Sequence, residues 1–156
     1  MSELATLRLA RSGDAREIAE MSRDLIEYGL AWSWTPARVQ RSISGRESSV
    51  VVARRGARIA AFGIMQFGDE VAHLNLLAVA APHRRQGLGR QLMEWLTATA
   101  ITAGIFRIDL ELRAQNQAAR KFYERLGFDP LNVIPGYYQG REAALKMTRR
   151  LGTAVP

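Results

Sequence analysis

The chain has 156 residues, enough for one domain with a substantial hydrophobic core. Its composition, 47% hydrophobic and 24% charged, is that of an ordinary globular protein, and the lack of cysteine excludes disulfides and thiolate chemistry. The net charge of +7 comes from 22 basic and 15 acidic residues, but the arginines are scattered rather than massed on one predicted helix, so direct nucleic-acid binding is not expected.

The first residues, Met1-Ser2-Glu3-Leu4-Ala5-Thr6, lack the basic start and apolar block of a signal peptide. Leu4, Leu7 and Leu9 predict a first strand. Ser12 is placed to N-cap a helix, with Asp14 and Glu17 in its first turns. Ala15, Ile18, Met21, Leu25 and Tyr28 form a stripe at helical spacing, and Gly29 ends it. An aromatic loop follows: Leu30-Ala31-Trp32-Ser33-Trp34-Thr35-Pro36. Thr35 caps a short second helix with Pro36 at its first position. Val50-Val51-Val52-Ala53, residues 59–67 and residues 71–79 then read as three strands, separated by turns at Gly56 and at Gly68-Asp69-Glu70. They make an antiparallel meander. After Arg84-Arg85-Gln86-Gly87-Leu88-Gly89-Arg90, apolar residues return at helical spacing (Leu88, Leu92, Trp95, Leu96), with Gly104 as the stop. The uncharged run 95–106 carries three threonines and is too short to span a bilayer, so a cytoplasmic protein without membrane attachment is expected.

Phe106, Ile108, Leu110 and Leu112 alternate with Arg107, Asp109, Glu111 and Arg113, a strand with one polar face. Asn116 is an N-cap for a helix carrying Ala119, Phe122, Tyr123 and Leu126, which Gly127 closes. Residues 128–134 and 142–148 supply two last strands, and the tail 152–156 is expected to be flexible. The order is β-α-α-β-β-β-α-β-α-β-β, a mixed-sheet α/β (α+β) fold in one domain over residues 1–151.

Strand, helix, strand, helix in the middle of the chain implies a right-handed parallel crossover. The glycine turn then lies at the carboxyl end of a strand, where open α/β sheets bind ligands. Glycine lets backbone approach a ligand closely. The first N–H groups of a helix are unpaired, and its dipole is positive there. The turn is therefore a phosphate-site candidate.

Two motifs carry a resemblance. Arg84-x-x-Gly87-x-Gly89 is similar to the acyl-CoA pyrophosphate loop of the GNAT N-acetyltransferases. Asn116-x-x-Ala119-x-x-Phe122-Tyr123-Glu124-x-x-Gly127-Phe128 is similar to that family's second signature. Together they cover roughly residues 72–147. Further downstream, Tyr137-Tyr138 and Gly140-Arg141-Glu142-Ala143 resemble the subfamily of bacterial ribosomal-protein-alanine N-acetyltransferases. The departure from it lies in the loop 29–38 and a shorter connection after Tyr138.

The resemblance implies a GNAT fold, with acetyl-CoA as co-substrate, no metal, and an amine acceptor. It implies Glu111 as general base and Tyr123 as general acid, with no covalent intermediate. The backbone of Leu77, Ala78 and Val79 would pair with pantetheine. The amides of Arg85, Gln86, Gly87, Leu88, Gly89 and Arg90, after Arg84, would hold the pyrophosphate. Asn116 would contact acetyl-CoA. His73, on the neighbouring strand, is a rival base. Trp32, Trp34, Tyr137 and Tyr138 either line an acceptor groove or cap the core from loops. An α-amine, about a quarter neutral at pH 7.5 against about one lysine in a thousand, demands less of a base. That favours an N-terminal or amino-acid acceptor, and the resemblance implies a peptide or protein N-terminus; a small-molecule amine is the alternative, and a non-catalytic acyl-CoA-binding module the third reading. The protein is expected to be a monomer or homodimer.

Overall fold

The computed structural model describes residues 5–152, which leaves Leu4 and residues 153–156 of the expected tail outside. Seven strands form one sheet in the order β1-β2-β3-β4-β5-β7-β6. They are β1 (Thr6–Leu9), β2 (Ser48–Arg55), β3 (Arg58–Phe67), β4 (Val71–Val79), β5 (Arg107–Arg113), β6 (Asp129–Tyr138) and β7 (Glu142–Arg150). The helices are α1 (Ala15–Leu25), α2 (Pro36–Ser44), α3 (Leu88–Thr102) and α4 (Gln117–Arg125). All neighbours pair antiparallel except β4 and β5, which α3 connects as a parallel crossover.

The sheet separates two cores. On one face α3 and α4 bury Leu88, Leu92, Leu96 and Tyr123 against Ile108, Leu110, Leu112 and Met147. On the other, α1 and α2 bury Ile18, Ala19, Trp34 and Val39 against Val50, Val52, Phe62 and Ile64. This two-layer cover explains the runs of apolar residues in β2 and β3, since strands buried on both faces need no polar alternation.

β4 carries the irregularity that makes the site. Ile64 of β3 pairs with Leu76 while Met65 pairs with Leu74, so Asn75 is an extra residue in β4. A bulge of this kind shifts the side-chain alternation by one position. Accordingly Ala72 and Leu74 pack beneath α3, whereas Leu76 and Ala78 pack beneath α1 and α2. The β4–β5 pairing runs only from Val71↔Arg107 to Leu74↔Leu110. Past the bulge the two strands part, and one edge of β4 loses its neighbour.

Three expectations are corrected. The first helix stops at Leu25 rather than reaching Tyr28, and Ser12 opens a 3-10 turn that precedes it. The reason for the early stop is Glu27. Its buried carboxylate accepts hydrogen bonds from Ser22 Oγ (2.9 Å), Ser33 Oγ (2.6 Å) and Ser33 N (2.7 Å), which draws the following loop back over the helix end. The sixth strand extends to Tyr138 instead of ending at 134, so Tyr137 and Tyr138 lie on a strand. Within the polar face of β5, Asp109 is only 7% exposed. Asp109 accepts from Arg107 Nε (3.0 Å) and Thr148 Oγ1 (2.7 Å).

Candidate active site

The glycine turn lies where β4 hands over to α3. A short 3-10 turn, Ala81–His83, comes first, and Arg84 Nε reaches back to Val79 O (3.2 Å). Gly87, with φ +80°, is the N-cap of α3. The first helical hydrogen bond is Gln91 N–H to Gly87 O (3.0 Å), so the amides of Leu88, Gly89 and Arg90 precede any helical partner. Gly89 has a different reason to be glycine. A Cβ there would stand 3.1 Å from Phe122 Cζ, so its absence lets α4 pack against the start of α3. From across the sheet, Arg55 Nη1 donates to Gln86 Oε1 and braces the loop.

The left-handed backbone at Gly87 gives a direct test. An alanine there must hold a conformation that costs L-residues about 1–2 kcal/mol. Gly87→Ala should therefore lower Tm by roughly 2–8 °C for a chain of this size, read by thermal denaturation.

Between the parting strands lies a cavity of about 140 Å³. One wall is Leu74 to Leu77 of β4, the other Leu110 to Arg113 of β5. Asn116, Ala119 and Tyr123 close it from α4, and Leu25, Ile26, Tyr28 and Tyr138 from the opposite face. Asn116 does double work here. Its Oδ1 accepts from Ala119 N (3.0 Å) and caps α4, which leaves its amide nitrogen able to donate.

Glu111 sits at the centre of a hydrogen-bonded group. Its Oε1 is 2.7 Å from His73 Nε2 and accepts from Tyr137 Oη at 2.9 Å. His73 Nδ1 faces Asn75 Oδ1 at 2.5 Å. An imidazolium donates at both of these contacts. The register explains the meeting: His73 pairs across from Asp109, which sets Glu111 diagonally ahead of it. The Glu111 hydrogen bond holds His73 above its ordinary pKa, against the opposing effect of burial. Burial pushes the Glu111 carboxyl upward, but the His73 bond and charge, the Tyr137 hydroxyl and the Lys146 charge outweigh it and hold it below the usual range. Burial and the same carboxylate push Tyr137 up to about 12.

Tyr123 is packed edge-on between Phe122 (5.0 Å between ring centroids) and Phe128 (5.6 Å). Burial pushes its phenol well above the ordinary tyrosine range, so the hydroxyl keeps its proton at any physiological pH.

The structure brings Glu111, Tyr123, Asn116, Leu77 and Tyr138 to one cavity and puts Tyr137 against Glu111. It does not bring Trp32 or Trp34 there. Trp34 is 9% exposed in the α1/α2 core, because the loop held by Glu27 turns it inward. Trp32 lies on the surface of α1, its Nε1 donating to Ala19 O (3.1 Å). His73 proves to be a partner of Glu111 rather than a separate group. Tyr28 and Arg113 are among the wall residues that the sequence does not mark as part of a site. Tyr28 reads there as the end of a helical stripe. Arg113 reads as one more polar residue of β5, yet it donates to Ile26 O (2.9 Å), Tyr28 O (2.6 Å) and Glu142 Oε2 (2.7 Å), and so fixes the wall.

The site thus joins a glycine turn with unpaired helix amides, a strand edge freed by a bulge, and a cavity lined by Glu111 and Tyr123. The family profile of the acetyltransferase (GNAT) family matches residues 16–128. The chain belongs to the GNAT acetyltransferase family. It is an N-acetyltransferase with acetyl-CoA as co-substrate. The chain is 42% identical over 93 residues to the ribosomal protein bS18-alanine N-acetyltransferase of Salmonella typhimurium, an alignment that spans 58% of this chain and 63% of that enzyme. It is 35% identical over 120 residues to the enzyme of the same name in Escherichia coli K12, spanning 75% of this chain and 80% of that one. The crystal structure of the ribosomal-protein-S18-alanine N-acetyltransferase from Escherichia coli superposes with a TM-score of 0.83 over 97% of both chains, at 28% identity. Among the described residues no group of three His, Cys, Asp or Glu side chains is placed to hold a metal ion, and no helix is long and apolar enough to cross a membrane.

Proposed function

We propose that this GNAT enzyme transfers the acetyl group of acetyl-CoA to the N-terminal α-amine of a peptide or protein. The observation that carries the reading is the single cavity that holds both the Glu111 carboxylate, hydrogen-bonded to His73 and Tyr137, and the protonated phenol of Tyr123. The names of the curated relatives, which act on alanine of a ribosomal protein, support the choice of acceptor. A cytoplasmic location follows from such an acceptor.

In this reading the pyrophosphate rests on the amides of residues 85–90 at the start of α3. The pantetheine arm lies along the freed edge of β4 at Leu77, Ala78 and Val79 as an added strand. The Asn116 amide donates to the acyl-CoA. The thioester carbonyl then reaches the cavity between β4 and β5.

The neutral amine attacks the thioester carbon. A new C–N bond forms, and the carbonyl pair moves to oxygen. Nitrogen now carries a positive charge and is far more acidic than the free ammonium, so even a carboxylate of low basicity accepts its proton. Glu111 is that acceptor. The C–S bond breaks as the carbonyl re-forms, and Tyr123 protonates the departing sulfur. Burial keeps the Tyr123 phenol protonated and ready to donate, and the same poorly solvated cavity makes the departing thiolate a stronger base than it is in water, which favours the transfer. Juxtaposing the two substrates supplies much of the acceleration.

The test measures thiol release from acetyl-CoA with N-terminal peptides and with small amines in parallel. Turnover with peptides, blocked when their α-amine is pre-acetylated, is the expected result. Turnover confined to small amines would overturn the peptide reading. Tight CoA binding without acceleration by any acceptor would overturn catalysis altogether.

A further inference from the structure

Beside the reaction cavity, and sharing Asn75 with it, is a second concavity of about 330 Å³. α2 contributes Arg38, Arg41 and Ser42, the sheet contributes Ser48, Gln66 and Asn75, and Trp34 forms the base. No acidic side chain lines it. Asn75 is the bulge residue whose Oδ1 contacts His73, so this concavity adjoins the acceptor side of the site.

Neither of its arginines is neutralised by a neighbour: seven arginines of the chain, Arg8, Arg23, Arg54, Arg90, Arg107, Arg113 and Arg120, have a carboxylate within 4.0 Å, whereas among the described residues Arg38 and Arg41, like most of the others, have none. Arg38 is nevertheless held in place. Its guanidinium stacks on the buried Trp34 ring, 3.8 Å from the centroid. Stacking fixes the plane while leaving the N–H edges free to donate, the arrangement that suits a planar carboxylate. Serine, glutamine and asparagine around it add neutral hydrogen-bonding groups that would not compete as counter-ions.

We propose that this concavity is a subsite for a carboxylate side chain borne among the first residues of the acceptor peptide. The proposal rests on the N-terminal reading above and adds to it a preference for acidic acceptors. The +7 net charge works in the same direction, drawing acidic peptides toward the site.

The experiment compares peptides carrying Asp or Glu at each of their first positions with their Asn or Gln counterparts. At one position the acidic peptide is expected to show a kcat/KM about tenfold higher, through KM, as two partly exposed charge pairs would give. Arg41→Gln should reduce that ratio, and Arg38→Gln with Arg41→Gln should bring it to about one. Arg41→Glu should reverse it in favour of lysine-bearing peptides. Arg41 is exposed, so its variants fold, and thermal denaturation checks the double variant. Calorimetry with N-acetylated product peptides in the presence of CoA gives a second readout that needs no turnover. Equal turnover and equal binding of acidic and amide peptides by the wild-type enzyme would overturn the subsite and leave the N-terminal reading standing. If no peptide is turned over, that reading falls. The binding arm then decides the subsite alone: acidic preference lost in Arg41→Gln supports it, equal binding overturns it.

Discussion

Tyr123→Phe is expected to lower kcat for acetyl transfer by about 10² or more while leaving the fold intact. The substitution removes one hydroxyl and keeps the ring. The edge-on contacts with Phe122 and Phe128 survive, so the α4 packing that the ring supports is preserved. What disappears is the hydroxyl of the α4 tyrosine that lines the cavity. Without it the sulfur must leave as a thiolate, in a cavity where charge is poorly solvated. Because burial holds the phenol protonated well above its ordinary range, the wild-type enzyme should show no alkaline fall in kcat from Tyr123 around pH 10. Steady-state kinetics should find the loss in kcat, with KM for acetyl-CoA changed only a few-fold. An unchanged kcat would exclude Tyr123 as the acid.

The elements that carry this chemistry were legible because their signals are local. A positive-φ glycine at a strand-to-helix junction, an asparagine three residues before the alanine whose amide it caps, and a clean alternation in β5 all act within one turn or one strand. The element order followed from them. The wedge between β4 and β5 was not legible. Residues 71–79 alternate without interruption in burial, and nothing in their identity marks Asn75 as an extra residue, since a bulge is a property of pairing between two strands. The same holds for Glu111 and His73. The sequence shows both as candidate bases on separate strands, but only the parallel register brings their side chains to 2.7 Å.

The aromatic loop is undecided in the sequence for a different reason. Trp32 and Trp34 read equally as groove residues or as caps on the core, and nothing local chooses between the two. The loop is not free, because Glu27, which sequence alone reads as one more helix-end carboxylate, binds Ser33 through both its backbone and its hydroxyl and turns Trp34 into the core. A buried carboxylate that organises backbone several residues away leaves no periodic trace. Gly89 shows the converse case. Its position was legible and its reason was not: the space it leaves is filled by Phe122 of a helix that begins almost thirty residues later.

Glu111→Gln is expected to reduce kcat/KM by about 10² to 10³ at every pH. Glutamine keeps an oxygen toward His73 and Tyr137, so the group should hold its shape, but it cannot take a proton. The pH profile separates this from a structural loss. The carboxyl is held below the usual carboxylate range, so in the wild type the base form is present from mildly acidic pH upward and contributes no limb between pH 6 and 8. The rise of kcat/KM over that interval belongs to the acceptor amine, whose ordinary pKa is about 8. That rise should therefore persist in the variant, displaced downward by a constant factor. His73→Gln acts differently. It removes the largest effects that pull the Glu111 carboxyl down and leaves burial opposed only by the Tyr137 hydroxyl and the Lys146 charge, so the carboxyl rises from its wild-type value. An acidic limb should then enter the profile from below, activity being lost as pH falls through the raised Glu111 value. If Glu111→Gln retains more than half of the wild-type kcat/KM while His73→Gln abolishes it, the base is His73, and Glu111 is the residue that positions it.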